Sequence, residues 1–337
     1  MKYDEASNIQ KLIDDAKSIV IIQADNPDSD SLGSALAMEL ILASQNKQTS
    51  LYCGVDMPGY IKYLDGWDRV EKILPNNFDL SILVDVSTLT LFEHLSPADI
   101  KKLSNKPSIV LDHHKVSENP IPFANITIND YNRASTGELI YLLGQQLSWK
   151  LEIPTLNLIT GTILGDTQGL SNQLATSETY KIMASLIESG VNRPQLEEKR
   201  REYNKMPIEI FQYKARLIDR VEFVYNNKIA FVTIPQQEIN TYSPLYNPSV
   251  LVQNDILQTQ GVEMAIAFKT YDDGRITASI RCNPSASIAS KLAQHFGGGG
   301  HDYASGFKVT DQSYEILKNN CLKKAQELLI ELEHETT

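Results

Sequence analysis

Ser18-Ile19-Val20-Ile21-Ile22-Gln23-Ala24-Asp25-Asn26-Pro27-Asp28-Ser29-Asp30 is the stretch whose reading decides the fold. Its apolar, mostly β-branched opening reads as a buried strand, and the Asp, Asn, Pro and Ser that follow are turn formers. The apolar periodicity of Leu32 to Ser44 then reads as a helix. Leu51-Tyr52-Cys53-Gly54-Val55, Leu80 to Val86 and Ser108 to Leu111 repeat the strand pattern, with helical patterns between them. Strands alternating with helices predict an α/β class, with an N-terminal doubly wound, mostly parallel sheet. Three of the four runs end in acids or histidines, and in open α/β sheets ligands bind beyond the carboxyl ends of the strands.

The pattern changes from about Val221. Val221 to Val224 and Ile229 to Ile234 flank Tyr225-Asn226-Asn227-Lys228, a hairpin; Val262 to Lys269 and Arg275 to Arg281 flank Asp272-Asp273-Gly274, a second one with a strong Asp-Gly turn. With helices over Ile288 to His295 and Glu315 to Glu333, this half reads as a smaller α/β domain with a mixed sheet. The predicted organisation is a first domain over residues 1–190, a helical connector over 191–220, and a second domain over 221–337. The charged segment Glu197 to Glu202 lacks apolar periodicity and belongs to the solvated connector.

Composition narrows the function classes. The 337 residues are 42% apolar and 22% charged, with a net charge of -11, so the chain is neither disordered nor a basic coat for long duplex nucleic acid. Three scattered cysteines, Cys53, Cys282 and Cys321, make no disulfide framework and no CxxC zinc spacing. The polar N-terminus and the lack of a long apolar run predict a cytoplasmic protein with no membrane association.

The chemistry lies at four places in chain order. Asp28 and Asp30 project from the same side of an extended chain, an arrangement hard divalent cations favour, although an acidic turn alone explains such a segment equally well. Asp85 follows a strand, where an acid also serves as a helix cap. Asp112-His113-His114 sets an acid and two imidazoles at a strand end, in a chain with six histidines; mixed nitrogen and oxygen donors suit manganese, iron or zinc better than magnesium or calcium. Asp166 follows Leu164-Gly165 and also has a cap reading. Together the four point to two cations bridged by a carboxylate, a device for attack of hydroxide on phosphorus. Gly297 to Gly300 and His301, preceded by Arg281, read as a glycine turn whose N–H groups close around an anion. Tyr131 and Tyr303 are candidate base-stacking aromatics, and Arg133 reads as a solvated side chain.

The order of these motifs resembles the Asp-His-His (DHH) phosphoesterases with a C-terminal domain ending in GGGH, and more narrowly the bacterial nanoRNase and 3'-phosphoadenosine-5'-phosphate phosphatase group. NPDSDSLGSALA, LVDVS, LDHH, ASTGELIY, GDTQGL and SIR…IASKLAQHFGGGGHDYASGF carry the resemblance over nearly the whole chain. It implies two Mn2+ ions, with Asp85 bridging, Asp28 on one ion, and Asp30, His113 and Asp166 on the other. Asp112 would support the cage and His114 would lie near the substrate phosphate, while Arg281, Gly298, Gly299, Gly300 and His301 would hold a terminal phosphate or nucleotide. The implied partners are short single-stranded RNA, linear dinucleotides and phosphoadenosine phosphate, acted on by a homodimer.

One position departs from the pattern. The family's first motif has a ligating histidine four residues before the first aspartate, and here that residue is Ala24. Asp25, Asn26 or a water molecule could fill the gap, so the first cation site should be weaker than the second or depend on substrate. Two functional classes follow: a hydrolase of oligoribonucleotides, with a cyclic dinucleotide phosphodiesterase as its variant, or a metal-depleted nucleotide-binding or regulatory module. Retention of Asp28, Asp30, Asp85, His113 and Asp166 favours the enzyme.

Overall fold

The computed structural model describes residues 3–86, 88–114, 120–243, 246–310 and 312–335. They form two compact units, Met1–Lys205 and Met206–Thr337. The divide therefore falls inside the segment read as a connector.

The first unit contains α1 (Ala6–Asp15), β1 (Ser18–Ile22), α2 (Ser29–Ser44), β2 (Gln48–Tyr52), β3 (Val70–Glu71), β4 (Leu80–Val84), α3 (Pro97–Ser104), β5 (Ser108–Asp112), β6 (Ile126–Asn129), α4 (Thr136–Leu147), α5 (Ile153–Asp166), α6 (Ser177–Glu188) and α7 (Arg193–Tyr203). All pairings in its six-stranded sheet are parallel, in the order β3-β2-β1-β4-β5-β6. Both faces are covered, as parallel sheets require. Ile19 and Ile21 of β1 enter a core shared with α1, α2, α4, α5 and α6, while Val20 and Ile22 enter a second core with Leu103 of α3. Each such fully buried aliphatic side chain contributes about 1.5–3 kcal/mol. The order reverses between β1 and β4, so a crevice opens beyond the carboxyl ends of these two strands. Asp28 and Asp30 follow the first, and Asp85 follows the second.

The expected strand Leu51–Val55 begins earlier, at Gln48, and stops at Tyr52. Pairing of Ser18 with Gln48 and Ile22 with Tyr52 recruits the polar Gln48-Thr49-Ser50 through the backbone ladder alone. Helix α7 buries none of its side chains, which is why its sequence shows no apolar period; Glu197 pairs with Arg200 and Arg201 along its surface.

Helices α2, α4 and α5 approach one another on glycines. A Cβ on Gly137 would stand 2.0 Å from Thr162 Oγ1, and one on Gly165 would stand 2.0 Å from Ser29 Oγ. This contact brings Asp30 on α2, the N-terminus of α4 and Asp166 on α5 to one end of the sheet.

The second unit contains α8 (Ile208–Asp219), β7 (Glu222–Val224), β8 (Ile229–Pro235), α9 (Gln236–Tyr242), α10 (Pro248–Leu257), β9 (Met264–Thr270), β10 (Ile276–Cys282), α11 (Ala289–His295), β11 (Gly299–His301), β12 (Ala304–Val309) and α12 (Tyr314–Glu335). Its six strands run in the order β11-β12-β10-β9-β8-β7, mixed because β8 and β9 pair in parallel and the rest antiparallel. Both hairpins expected from the sequence form. Helices α11 and α12 cover one face; α8 and α10 cover part of the other, packing on Ala230, Val232, Ala265 and Ala267. Among the described residues, no helix is long and apolar enough to cross a membrane.

Gly137→Ala should separate α4 from α5 and lower stability by about 1–3 kcal/mol, the usual cost of overpacking. Gly59, whose Cβ would meet nothing, is the control. Thermal denaturation checks the pair: a lower Tm for Gly137→Ala and an unchanged one for Gly59→Ala are expected.

Candidate metal centre

Asp30 is fixed before any cation arrives. Its Oδ2 accepts from Thr136 N at 2.7 Å, and its Oδ1 accepts from Gly137 N at 3.2 Å and Ser34 Oγ at 3.0 Å. The two backbone donors are the first N–H groups of α4, so the carboxylate lies at the positive end of that helix. Asp28 is the N-cap of α2; its Oδ1 accepts from Asp30 N and Ser31 N, while Ser31 Oγ accepts from Asp28 N. Both the capping and the ligand readings of this segment are therefore open to one carboxylate, through different oxygens.

Asp85 leaves β4 with φ of +59°, a left-handed conformation that a non-glycine residue adopts at a cost of about 1–3 kcal/mol. Its N–H donates to the Leu111 carbonyl, and its Oδ1 accepts from Thr136 Oγ1 at 3.2 Å. Asp166 ends α5, so it stands at a helix C-terminus and is not an N-cap.

His113 connects these acids. Its Nδ1 lies 3.2 Å from the Arg133 carbonyl and donates to it, which turns the lone pair of Nε2 toward the cluster. That nitrogen is 3.1 Å from Asp166 Oδ2, 3.5 Å from Asp30 Oδ2 and 3.6 Å from Asp85 Oδ1. None of the three is aligned as a hydrogen bond, and Nε2 is buried without such a partner. A proton on this nitrogen balances the carboxylates in the metal-free protein, and a divalent cation would fit in its place. Two groups of donor atoms lie within 4.8 Å of one another: Asp30, His113 and Asp166; and Asp85, His113 and His114.

Asp112 is fully buried; its Oδ1 holds His114 Nδ1 at 2.8 Å and its Oδ2 accepts from Asn129 at 3.0 Å. This leaves Nε2 of the half-exposed His114 ring available to a substrate.

The electrostatics record the crowding. Burial and then the neighbouring Asp30 raise Asp28 and Asp85 above the ordinary carboxylate range, Asp85 by far the more. The same causes lift Asp166 to about 7. Burial works against a charge on His113, but the carboxylates of Asp166 and Asp30 outweigh it and bring His113 up to about 9. The hydrogen bond to Asp112 raises His114.

The neighbourhood of Ala24 is occupied differently from the sequence expectation. Ala24 packs into the core on the α3 side of the sheet, and its carbonyl accepts from Cys53 Sγ. The Asp25 carboxylate accepts from Gly54 N at 2.9 Å and His94 N at 2.8 Å, and meets His94 Nδ1 at 3.1 Å. It fastens the loops after β2 and β4 to the end of β1 and is directed away from the role of substitute ligand. Asn26 is exposed.

Three residues emerge only in the fold. Thr136 and Gly137 donate to the acids, and the signal for them was a helix start in a chain rich in strand-end carboxylates. Arg133 corrects the solvated reading: it is buried, with Asp130, Glu138 and Glu178 around its guanidinium, and its carbonyl orients His113.

In the second unit the glycine run corrects the expectation of an open turn. Gly297 N and Gly298 N donate to the Gln294 and Ala293 carbonyls that end α11, while Gly299 and Gly300 belong to the edge strand β11. His301 is placed by its backbone opposite Ala304; its side chain lies outside the described residues. Arg281 pairs in register with the same Ala304, so Arg281, Ala304 and His301 share one rung of the sheet. Tyr131 and Tyr303 are both exposed.

Comparison with known proteins agrees with this geometry. The DHH family N-terminal domain model matches residues 18–165 and the DHHA1 domain model matches residues 242–333. The chain is 27% identical over 299 residues to an uncharacterized protein of Mycoplasma pneumoniae, covering 85% of each. It is 22% identical over 302 residues to the bifunctional oligoribonuclease and PAP phosphatase NrnA of Bacillus subtilis, covering 87% of this chain and 89% of the relative. An exopolyphosphatase-related protein from Bacteroides fragilis shares the fold, with a TM-score of 0.82 and 22% identity over 96% of this chain and 97% of its own. With one family domain in each compact unit and the acid and histidine motifs converging in the first, the chain belongs to the DHH family of phosphoesterases and carries a DHHA1 domain.

Proposed function

We propose that this phosphoesterase is a manganese-dependent hydrolase of short oligoribonucleotides and linear dinucleotides that releases mononucleotides, with 3'-phosphoadenosine-5'-phosphate as a smaller substrate. The observation that carries the reading is the buried Nε2 of His113, unpartnered and ringed by Asp30, Asp85 and Asp166. Mixed nitrogen and oxygen donors favour manganese over magnesium or calcium. The likeness to NrnA over most of both chains supports the substrate class.

Asp30, His113 and Asp166 would hold one cation, Asp28 the other, and Asp85 would face both. When bound, such a pair lowers the pKa of water and neutralises phosphoryl oxygens, so that hydroxide is available near neutral pH. His114, held by Asp112, presents Nε2 to a phosphoryl oxygen or to the leaving oxygen, and the hydrogen bond to Asp112 raises its pKa, which favours the form that donates there. Thr136 and Gly137 keep Asp30 from turning as charge builds up. The reading of a metal-depleted binding module has Ala24 in its favour; the retention of every other donor weighs against it.

Release of AMP from diadenylate on addition of manganese tests the function; no release at millimolar manganese would sink it. Asp85→Asn should lower kcat by about a thousandfold, since it removes the charge that faces both cations. A near-normal rate would show that Asp85 does not hold the reacting cations. Ala24→His should shift the manganese activation midpoint downward, and an unchanged curve would mean that a neighbour already fills the position.

Stability carries a pH signature. In the metal-free protein Asp166 keeps its proton to about 7, against an ordinary 3.8, and His113 to about 9, against 6.5. Both folded-state values are raised, so the stability each group contributes is present at low pH and is lost as pH rises through its folded value. Tm in EDTA should therefore fall between about pH 4 and 9, less steeply in Asp166→Asn, and manganese should restore it above pH 7. A flat or rising Tm in EDTA contradicts the protonation of this cluster.

A further inference from the structure

The second unit presents a strip of sheet along the border of α10, whose Gln253 hydrogen-bonds the carbonyl and the hydroxyl of Ser279. Along β10, Ile276, Ala278, Ile280 and Cys282 are buried while Thr277, Ser279 and Arg281 are half-buried. Along β12, Ser305 and Phe307 are buried, Ala304 and Gly306 are half-buried, and Lys308 is exposed. Strand register places these residues in three rungs: Arg281 with Ala304, Ser279 with Gly306, and Thr277 with Lys308. Gly299 of β11 extends the middle rung. Past Ser279 the strip thus has a floor of Gly299, Ala304 and Gly306, with Arg281 at one end and Lys308, on the same rung as Lys269 of β9, at the other. Four residues of strand separate its ends, roughly 13 Å.

The strip gathers cations in an acidic chain. The net charge is -11, and elsewhere in the same unit Arg220, Lys228 and Lys318 each meet a glutamate. Neither Arg281 nor Lys308 meets an acid among the described residues, and burial without an acid neighbour lowers the Arg281 pKa. Arg281 at one end of a small-residue floor, with Lys308 and Lys269 at the other, calls for an extended ligand with anionic groups at matching ends. A compact anion would satisfy only one of them.

We propose that this strip is a two-ended platform for a short single strand, with Lys308 binding a second phosphate two steps along the backbone from the phosphate held at Arg281. Lys308 is then a specificity-determining residue for strand length. The inference rests on the reading of the chain as a hydrolase of short oligoribonucleotides. Small floor residues let sugars and bases lie close to the sheet, and Tyr303, exposed at the Arg281 end, offers a stacking face.

The test is calorimetric binding to the full-length protein in EDTA, which stops turnover, with 5'-phosphorylated triadenylate and AMP as the two probes. Lys308→Ala should weaken triadenylate about three- to tenfold, leave AMP unchanged, and reduce the salt slope for triadenylate by about 0.7. Lys308→Arg should restore both affinity and slope. Equal losses for the two probes, or an unchanged affinity for triadenylate, would overturn the platform. Arg281→Ala separates the levels: if it weakens both probes while Lys308→Ala does nothing, the platform alone fails. If the unsubstituted protein does not bind triadenylate, the substrate reading fails with it.

Discussion

Carboxylates that would separate in water are held within a few ångströms of one imidazole nitrogen, and the first unit is organised around this enforced crowding. Desolvated like charges repel strongly, which is why Asp28, Asp85 and Asp166 all retain protons above the ordinary carboxylate range. The fold resists the repulsion by several independent means. The sheet reverses its order between β1 and β4 and so directs two acid-bearing segments into one crevice. Glycine contacts at Gly137 and Gly165 let α2, α4 and α5 meet at the ends that carry Asp30, Thr136 and Asp166. Asp85 tolerates a left-handed backbone, and the Arg133 carbonyl fixes the imidazole. A protein needing only stability would replace such a cluster with apolar residues. Its retention is explained by cations that neutralise it.

The donors are not distributed evenly. His113 belongs to both groups of ligating atoms, yet with Nδ1 committed to Arg133 it has one lone pair and can serve one cation. The Asp30 side of the centre is therefore complete without help. On the Asp28 side, one oxygen caps α2, Ala24 has no donor, and Asp25 is engaged by Gly54 and His94. On the proposed reading, that asymmetry leaves the Asp28 position to be completed by water or substrate oxygens.

Much of this was legible in the sequence because strands buried on both faces read as continuous apolar runs, and acids at their ends stand out against them. Asp28, Asp30, Asp85, Asp112, His113 and His114 were visible for that reason, and Asp166 because it ends the apolar run of α5. Strands β3 and β6 were not, since two and four residues are too few to show a period. Thr136 and Gly137 act through backbone N–H groups, which carry no residue-specific signal. Arg133 was misread because nearness in sequence to Asp130 and Glu138 does not show burial, and the third acid, Glu178 of α6, is distant in sequence. The glycine run was legible as special, but its N–H groups cap α11 and its residues form a sheet edge, a division that only pairing with β12 reveals.

The second unit complements this chemistry with positive charge where the first concentrates negative charge. Among the described residues Arg281 and Lys308 meet no acid on their sheet face, whereas acids of the first unit gather around His113. On the proposed reading, an acidic chain acts on phosphate esters by confining positive charge to a few positions, which would favour short strands over long polymers. The central claim is that the crowded acids exist to hold cations at His113. Anomalous X-ray scattering from crystals grown with manganese tests it most directly. The account predicts a manganese peak within bonding distance of His113 Nε2, shared with Asp30, Asp85 and Asp166; a map with no peak there, or with manganese bound only elsewhere, would contradict it.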